Sequence, residues 1–256
     1  MVGFGNLASL ICIPPRRGLA FAQGGGGESV FTVDALARAV GCKKPAGGDR
    51  GAEVKTLIND SRRAGAGAAF FAVGGANTDG NLYVEEATHR GAVAIVSERP
   101  APGKYFPAAW LQVESVADAM ARAAKAFYES PDEHMKIFAV TGTNGKTSVA
   151  WLIQHMLNET GTKSGLIGTI QYDLGGRCLP AARTTPEALE TYAMLYQMRR
   201  AGCAAAAMEI SSHAIAQKRV EGLDIDCACF TNLTQDHIDY HMDMESYFET
   251  KASLFT

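Results

Sequence analysis

This sequence lacks the features that identify several large functional classes. Its 24 lysine and arginine residues are outnumbered by 27 aspartate and glutamate residues, so the net charge is −3. An excess of positive charge that would favour nucleic acid or an anionic membrane surface is therefore absent. The sequence has no internal repeat and no run of about twenty apolar residues of the kind that spans a bilayer. We expect neither nucleic acid nor a membrane among its partners.

The cysteines do not form a recognisable metal-binding or disulfide pattern. Cys227 and Cys229 form a C-x-C pair within an apolar run, but a zinc site would need a second pair at metal-ligand spacing. We interpret the cysteines as reduced core residues of a cytoplasmic protein. The six cysteines are Cys12, Cys42, Cys178, Cys203, Cys227 and Cys229.

The first 28 residues lack the order of a secretory signal peptide. A signal peptide begins with positive charge and continues into a longer apolar core. Here an apolar stretch comes first, is broken by Pro14 and Pro15, and is followed by Arg16 and Arg17. We predict a flexible extension over residues 1–28, with an export signal as the alternative.

From residue 30 onwards, apolar runs of strand length alternate with segments that have helical spacing. The runs "AAFFAVGG" (68–75) and "GAVAIVSE" (91–98) predict strands on either side of an amphipathic helix. A second series of the same kind begins with "IFAVTG" (137–142). This alternation predicts an α/β fold with two domains, at 29–134 and 135–256, the second with a mainly parallel sheet.

The segment "VTGTNGKTS" (140–148) is similar to a phosphate-binding loop, but it lacks the glycine that the common nucleoside-triphosphatase pattern would need at Val140. It follows an apolar strand and opens a helix, so backbone N–H groups and the helix dipole would face an anion. Lys146 would neutralise the phosphates and the Thr147 hydroxyl would bind Mg²⁺. An ordinary strand-to-helix turn would explain the glycines but not the Lys–Thr pair.

Two further apolar strands also turn polar at their carboxyl ends. Glu209 closes "CAAAAMEI", and Asn232 follows "CACF" with His237 beyond it. Ligands gather at the carboxyl ends of parallel strands, and a carboxylate beside a phosphate loop is a natural Mg²⁺ ligand. Taken singly, Glu209 is also compatible with a surface acid and His237 with a capping or packing residue.

The combined motifs resemble the Mur ligase family, whose own phosphate loop has the shortened form G-T-N-G-K-T. The resemblance runs from about residue 54 to the end of the chain. It is carried by "DSRRAGAGAAFFAVGGANTDG", "TGTNGKTS", "TTPEALE", "MEISSHAIAQKRVEG" and "FTNLTQDHIDYHMDMESYFETKASLF".

The resemblance implies a cytoplasmic, monomeric, ATP-dependent amide ligase of peptidoglycan synthesis. Such an enzyme adds the third stem-peptide residue to UDP-N-acetylmuramoyl-L-alanyl-D-glutamate through an acyl phosphate, with ATP and Mg²⁺ as cofactors. The amine substrate is a diamino acid, with meso-diaminopimelate favoured over L-lysine. It further implies an N-terminal domain that binds the UDP substrate and a central domain that binds ATP.

The resemblance also assigns roles to single residues of the central domain. Lys146, His237 and Lys251 would be catalytic, and Lys251 would carry a carbamate formed with CO₂. The metal ligands would be Thr147, Glu209, His237 and Lys251. The ATP-binding residues would be Gly142, Thr143, Asn144, Gly145, Lys146, Thr147, Ser148 and Asn232. Without the resemblance, Lys251 would be interpreted as an exposed helix lysine.

The UDP-muramoyl peptide would be bound by residues of both domains. The implied contacts are Ser61, Ala76, Asn77 and Thr78 in the first domain and Thr184, Thr185, Ser211, Gln217 and Arg219 in the second. Asn59 stands where the family often has leucine. For Ser211 the alternative is a helix N-cap, and for Arg219 it is a solvated helix arginine.

The chain ends at Thr256, five residues after Lys251, whereas the family continues through more of the central sheet and a C-terminal domain. We therefore expect an incomplete central domain and a chain that is inactive by itself. The alternatives are a non-catalytic fragment that binds UDP-muramoyl peptide and a neighbouring Mur ligase that adds another stem residue.

Overall fold

The chain contains two compact units. The smaller unit is Leu19–Phe127, and the larger unit combines Met1–Gly18 with Tyr128–Thr256. The first described element, the short strand β1 (Ser9–Ile11), belongs to the larger unit. None of the helices in the described part of the chain is both long enough and apolar enough to cross a bilayer. The computed structural model describes residues 9–11, 30–74, 79–103, 106–236 and 238–255.

The smaller unit contains a four-stranded parallel sheet in the order β2-β3-β4-β5. Its strands are almost entirely buried, as expected when helices accompany a parallel sheet. The elements are α1 (Val33–Val40), β2 (Thr56–Ile58), β3 (Ala68–Phe71), α2 (Val84–His89), β4 (Ala92–Ser97), β5 (Ala109–Gln112) and α3 (Val116–Phe127).

Helix α1 illustrates how closely the local signals match the structure. The Thr32 hydroxyl accepts a hydrogen bond from the backbone N–H of Ala35, which caps the amino end. Gly41 ends the helix in the left-handed conformation with φ 75°, a position that suits glycine. The sequence "FTVDALARAVG" (31–41), with apolar residues at helical spacing before a glycine, predicts this helix and its end, and the structure confirms both.

The larger unit contains a seven-stranded sheet in the order β1-β11-β6-β10-β7-β8-β9. The four strands β11, β6, β10 and β7 are parallel, and β1, β8 and β9 are antiparallel to their neighbours. The remaining elements are β6 (Lys136–Thr141), α4 (Lys146–Glu159), β7 (Ser164–Ile167), β8 (Gln171–Asp173), β9 (Cys178–Pro180), α5 (Ala188–Arg200), β10 (Ala205–Glu209), α6 (Ser212–Ala216), β11 (Cys227–Phe230), α7 (Ile238–His241) and α8 (Met244–Ala252).

The parallel centre of this sheet confirms the predicted α/β class. Every residue of β7 and β10 is buried, which explains why these strands are rich in small and aliphatic residues instead of alternating with polar ones. The register aligns Glu209 with Val140 on β6, and Phe230 with Thr141. The carboxyl ends of these strands therefore meet at one edge of the sheet.

Strand β1 corrects part of the predicted N-terminal extension. Residues 1–28 were expected to be flexible, but Ser9–Ile11 pair antiparallel with Ala228–Phe230 of β11. The outer edge of β11 offers unpaired backbone groups, and an extended segment satisfies them by pairing there. The other residues of the predicted extension lie outside the described part of the chain.

The segment that connects the units belongs to the larger one, so the division falls after Phe127 and before the boundary expected at residue 134. The ring of Tyr128 lies 5.9 Å from that of Tyr196 on α5. The Asp132 carboxylate accepts a hydrogen bond of 2.8 Å from the backbone N–H of Asp224, and Met135 joins the apolar core of the larger unit. These contacts pack the connecting segment against the larger unit, so it is part of that unit and not a separate linker.

Helix α6 is shorter than the sequence pattern "SSHAIAQKRVEG" suggests. It ends at Ala216 because Lys218 adopts φ 57°, in the left-handed region. The backbone N–H of Arg219 then bonds back to the carbonyl of Ala214 at 2.8 Å, a closure typical of helix carboxyl ends. The hairpin β8–β9 was not predicted, because its short strands carry little periodic signal.

We expect Leu111→Ala to destabilise the smaller unit by about 2–5 kcal/mol, because this fully buried β5 side chain would leave a cavity. The matched control is Leu82→Ala, at a leucine that is 72% exposed, which should change the stability by less than about 0.5 kcal/mol. Urea unfolding followed by Trp110 fluorescence in a Trp151→Phe background measures both. Equal effects of the two substitutions would contradict the assignment of Leu111 to the core.

Candidate active site

The phosphate loop, defined here as Gly142–Ser148, connects β6 to the amino end of α4. Gly145 occupies the N-cap position with φ 84°, and Gly142 has φ 138°, so both lie in conformations that favour glycine. A Cβ atom added to Gly142 would lie 2.0 Å from Thr231 Oγ1. The glycine spacing that distinguishes this loop is thus required by its close approach to the segment after β11.

The segment after β11 holds the backbone of the loop in place. The backbone N–H groups of Thr143 and Asn144 donate to the carbonyl and side-chain oxygens of Asn232, at 2.9 and 3.0 Å. The Asn232 amide donates in return to the carbonyl of Asn144 at 3.0 Å, and the Thr231 hydroxyl donates to the same carbonyl at 2.6 Å. Asn232, predicted from its strand-end position, therefore lies in the site and supports the loop.

Lys146 folds back over the loop from the first turn of α4. Its ammonium group donates to the carbonyl oxygens of Gly142 and Thr143, at 2.9 and 2.8 Å. Desolvation lowers the pKa of Lys146, while the charges of Glu209 and Asp236 act in the opposite direction. The site thus holds a preoriented amine at the loop.

Glu209 is fully buried at the carboxyl end of β10. Its carboxylate accepts hydrogen bonds from the Thr147 hydroxyl at 2.9 Å, the Thr169 hydroxyl at 3.0 Å and the Thr169 backbone N–H at 2.8 Å. Thr169 was not identified from the sequence, although it follows the carboxyl end of β7 as Glu209 closes β10. The alternative of a surface acid at Glu209 is wrong.

The surroundings of Glu209 fit a divalent cation. Its hydrogen-bond donors in the described residues are all neutral, and the Lys146 ammonium, whose charge interacts with Glu209, donates to loop carbonyls instead of to the carboxylate. Carboxylate and hydroxyl oxygens are hard ligands that suit Mg²⁺, and Thr147 lies beside Glu209. The predicted ligand His237 lies outside the described residues, and within them no cluster of three or more His, Cys, Asp or Glu side chains is found.

Lys251 lies on α8 and is 1% exposed. Its ammonium donates to the carbonyl of Gly142 at 3.0 Å and lies 4.6 Å from the centre of the Tyr247 ring. Burial, together with the neighbouring charge of Lys146, lowers the pKa of Lys251 to about 7. The interpretation of Lys251 as an exposed helix lysine is therefore wrong, and a neutral amine is accessible near neutral pH.

Thr185 and Ser211 lie next to Glu209, and Thr184 is connected to Glu209 through Thr169. The Thr185 hydroxyl donates to the carbonyl of Glu209 at 2.9 Å and accepts from the backbone N–H of Ser211 at 3.0 Å. The Thr184 hydroxyl lies 3.1 Å from the Thr169 hydroxyl, to which it donates because the Thr169 proton is used at Glu209. Ser211 also caps α6 by accepting from the N–H of Ala214, which confirms the N-cap interpretation of this residue.

Arg219 reaches the same cluster from the turn after α6. Its guanidinium donates to the carbonyl of Thr185 at 3.0 Å and to the side chain of Gln217, and it lies 3.3 Å from the Glu187 carboxylate. Only 14% of the Arg219 side chain is exposed, so the interpretation as a solvated helix arginine is wrong. Glu187 also pairs with Arg183, and neither residue was singled out from the sequence.

Among the predicted substrate contacts of the smaller unit, Ser61 lies within the described residues. It is buried, and its hydroxyl donates to the Glu86 carboxylate at 2.8 Å. Asp60 precedes it and accepts from the backbone N–H of Arg62, which caps the short turn. The other predicted contacts of this unit, Ala76, Asn77 and Thr78, lie outside the described residues.

Two family models match this chain. The model described as "Mur ligase family, catalytic domain" matches residues 53–128, and the "Mur ligase middle domain" model matches residues 140–256. Together they cover most of the sequence and both units of the structure.

Curated relatives point to one activity within that family. The chain is 42% identical over 224 residues to the UDP-N-acetylmuramoyl-L-alanyl-D-glutamate–2,6-diaminopimelate ligase of Geobacter metallireducens, covering 88% of this chain and 43% of the relative. It is 47% identical over 203 residues to the ligase of the same name from Solibacter usitatus, covering 79% and 41%. The chain therefore spans less than half the length of these relatives.

Solved structures share the fold. A structure of a UDP-N-acetylmuramoyl-L-alanyl-D-glutamate–2,6-diaminopimelate ligase matches with a TM-score of 0.64 and 29% identity, over 79% of this chain and 41% of that one. MurF from Acinetobacter baumannii matches with a TM-score of 0.61 at 19% identity, over 89% and 46%. The second match supports the fold alone.

We expect Lys251→Met to remove a pH-dependent cost of burying the ammonium. The folded-state pKa is about 7, below the value of 10.5 expected for an unperturbed lysine. Between these values the unfolded chain binds a proton that the folded chain has lost, so the free energy of unfolding of the parent rises with pH. The stability advantage of the methionine variant should therefore be largest below pH 7 and shrink as the pH approaches 10.

Urea unfolding between about pH 6 and pH 10 measures this difference at each pH. The control is Lys55→Met, at a lysine whose side chain is 60% exposed, which should leave the pH dependence of stability unchanged. A pH-independent difference between the parent and Lys251→Met would contradict the lowered pKa.

Proposed function

Because this chain belongs to the Mur ligase family, we propose that it supplies the ATP-binding and UDP-substrate-binding parts of a ligase that adds meso-diaminopimelate to UDP-N-acetylmuramoyl-L-alanyl-D-glutamate. The observation that carries this proposal is the convergence of Lys146, Lys251 and Glu209 on the phosphate loop. Relatives above 40% identity are named for this ligation, and a MurF ligase of the same fold from Thermotoga maritima is described in complex with ADP.

The proposed chemistry converts a poor electrophile into a good one. A carboxylate oxygen of the substrate attacks the γ-phosphorus of ATP, the bond to the β-phosphate oxygen breaks, and an acyl phosphate and ADP result. The amine of the diamino acid then attacks the acyl carbon, phosphate leaves, and the amine loses a proton to form the amide. The negative charge that accumulates on the transferred phosphoryl group must be met by fixed positive groups.

The phosphate loop supplies those groups in our proposal. Its backbone N–H groups at the amino end of α4 would surround the phosphates, and the Lys146 ammonium would lie against the β- and γ-phosphates. Among the described residues this ammonium donates to the carbonyls of Gly142 and Thr143, and a bound phosphate would replace one of these acceptors. Gly142 through Ser148 would form the ATP contact.

Thr147 and Glu209 would hold Mg²⁺, with His237 and Lys251 as further proposed ligands. The bound ion would supply charge neutralisation at the phosphates. The buried carboxylate of Glu209, surrounded by neutral donors, is the observation that supports a cation at this position.

Lys251 is proposed to carry a carbamate. The neutral amine would attack CO₂, a nitrogen–carbon bond would form, and the proton released to solvent would leave an anionic carbamate. A pKa of about 7 makes the neutral amine available at physiological pH. The change of sign matters because Lys146 lies close by and lowers the pKa of Lys251 while both groups are cationic.

The UDP-muramoyl peptide is proposed to bind through Ser61, Ala76, Asn77 and Thr78 of the smaller unit and through residues of the larger unit beside Glu209. The latter residues are Thr184, Thr185, Ser211, Gln217 and Arg219. Their mutual hydrogen bonds support a single substrate surface adjoining the proposed ATP site.

We expect Lys146→Ala to weaken ADP binding to this chain by at least about tenfold, because a charge-assisted contact to phosphate is lost. Binding of the UDP-muramoyl dipeptide should remain close to that of the parent, since its uridine contacts are proposed in the smaller unit. Isothermal titration calorimetry with each ligand measures both. Lys163→Ala, at an exposed lysine of the same unit, is the control. Unchanged ADP affinity of Lys146→Ala would refute the loop assignment.

We expect ¹³C-labelled bicarbonate to produce a carbamate signal in the parent that increases as the pH rises through about 7. Lys251→Arg should lack this signal, because a guanidinium does not form the carbamate and stays cationic. In a protein of the relatives' full length, the same substitution should abolish ligation, measured as phosphate release that depends on diaminopimelate. Persistence of the carbamate signal or of full ligation in the arginine variant would exclude this role of Lys251.

A further inference from the structure

Tyr247 on α8 contacts the phosphate loop through the side chain of Thr143. Its side chain is among the largest that are fully buried in the chain, with 1% exposure. The hydroxyl lies 3.2 Å from Thr143 Oγ1, and the ring lies under the Lys251 ammonium at 4.6 Å. One side chain therefore contacts both the loop and the buried Lys251.

The Thr143 hydroxyl has three hydrogen-bond contacts, one of them with Tyr247. The Thr143 hydroxyl accepts from the backbone N–H of Thr234 at 3.0 Å and lies 3.2 Å from the carbonyl of Thr234. The Thr143 hydroxyl lies at the same distance from the Tyr247 hydroxyl, and either of the two hydroxyls can donate in that contact. These contacts with Thr234 and Tyr247 together hold the Thr143 side chain in one rotamer.

The backbone at Thr143 forms part of the site that holds the Lys146 ammonium. The carbonyls of Gly142 and Thr143 accept from Lys146, and the carbonyl of Gly142 also accepts from Lys251. A rotation of the peptide groups on either side of Thr143 would move these carbonyl acceptors. The contact with Tyr247 is therefore placed to resist such a rotation.

The opposite side of Tyr247 is anchored to the amino end of α6. Its ring lies 5.1 Å from the ring of His241, whose Nε2 atom is 2.9 Å from the hydroxyl of Ser212. All three side chains are buried, and Ser212 follows Ser211 of the proposed substrate surface directly. Tyr247 thus connects the phosphate loop to the amino end of α6 through His241.

We propose that Tyr247 is a positioning residue that holds Thr143 and, through the loop carbonyls, orients Lys146 toward the nucleotide phosphates. This inference rests on the proposed function of the loop as an ATP site. It assigns to Tyr247 a role that acts through Thr143, with no contact to substrate.

The test is ADP binding to the full 256-residue chain and to Tyr247→Phe, measured by calorimetry. Loss of the hydroxyl should weaken ADP binding by about five- to tenfold, the effect of one neutral hydrogen bond. The matched control is Tyr172→Phe: this buried tyrosine on β8 bonds Arg183 through its hydroxyl, far from Thr143 in the hydrogen-bond network. Both substitutions should lower the unfolding midpoint, but only Tyr247→Phe should weaken ADP binding.

A double-mutant cycle separates a role through Thr143 from a general loss of stability. Thr143→Val removes the threonine hydroxyl and keeps the shape, and adding Tyr247→Phe to it should weaken ADP binding no further. Thr143→Ser keeps the hydroxyl and should bind ADP within about twofold of the parent. If Tyr247→Phe fails to fold, the contrast between the valine and serine variants at Thr143 still tests the role of the hydroxyl.

The possible outcomes distinguish this inference from the function on which it rests. A parent chain that does not bind ADP contradicts the proposed function. ADP binding that is weakened by Lys146→Ala but unchanged by Tyr247→Phe overturns the role of Tyr247 alone. Equal losses in Tyr247→Phe and Tyr172→Phe, or fully additive losses in the cycle with Thr143→Val, overturn it as well.

Discussion

Burying a carboxylate and an ammonium beside the same loop is costly unless each is compensated, and this requirement organises the larger unit. Glu209 is compensated by three hydrogen bonds from Thr147 and Thr169. Lys251 is compensated by a loop carbonyl and by the face of an aromatic ring, and its pKa falls so that less charge has to be buried. The loop between them supplies the Gly142 carbonyl to Lys251 and the Thr147 hydroxyl to Glu209.

The parallel sheet makes this arrangement possible. Parallel strands end at the same edge, so residues far apart in sequence are brought to one level without long side chains. Glu209 is in register with Val140, which lies two residues before Gly142. The last residue of β11, Phe230, is paired with Thr141, and Asn232 follows two residues later. A one-residue slip of β10 would turn Glu209 to the opposite face, so the tightly packed alanines of this strand also secure the chemistry of the site.

Much of the candidate site is accessible from local patterns, because its residues follow strands with strong apolar signals. The loop, Glu209 and Asn232 were identified in this way, and the structure brings them together. Thr169 and Tyr247 were missed, because a threonine in a short loop and an aromatic residue on a helix look like turn and core residues. Their contacts depend on pairings across 40 and 104 positions, for which one sequence carries no pattern.

The amino-acid sequence by itself determined the α/β class, the alternation of strands and helices, the glycine positions of the loop and the end of α1 at Gly41. These features depend on local conformational preferences and on hydrophobic periodicity, which act over a few residues. Only the tertiary structure decided the strand order, the pairing of β1 with β11 and the burial of Lys251 and Arg219. The physical reason is that burial and charge compensation depend on which distant groups the fold brings into contact, and a helix lysine has the same local signature whether it faces water or a buried carbonyl.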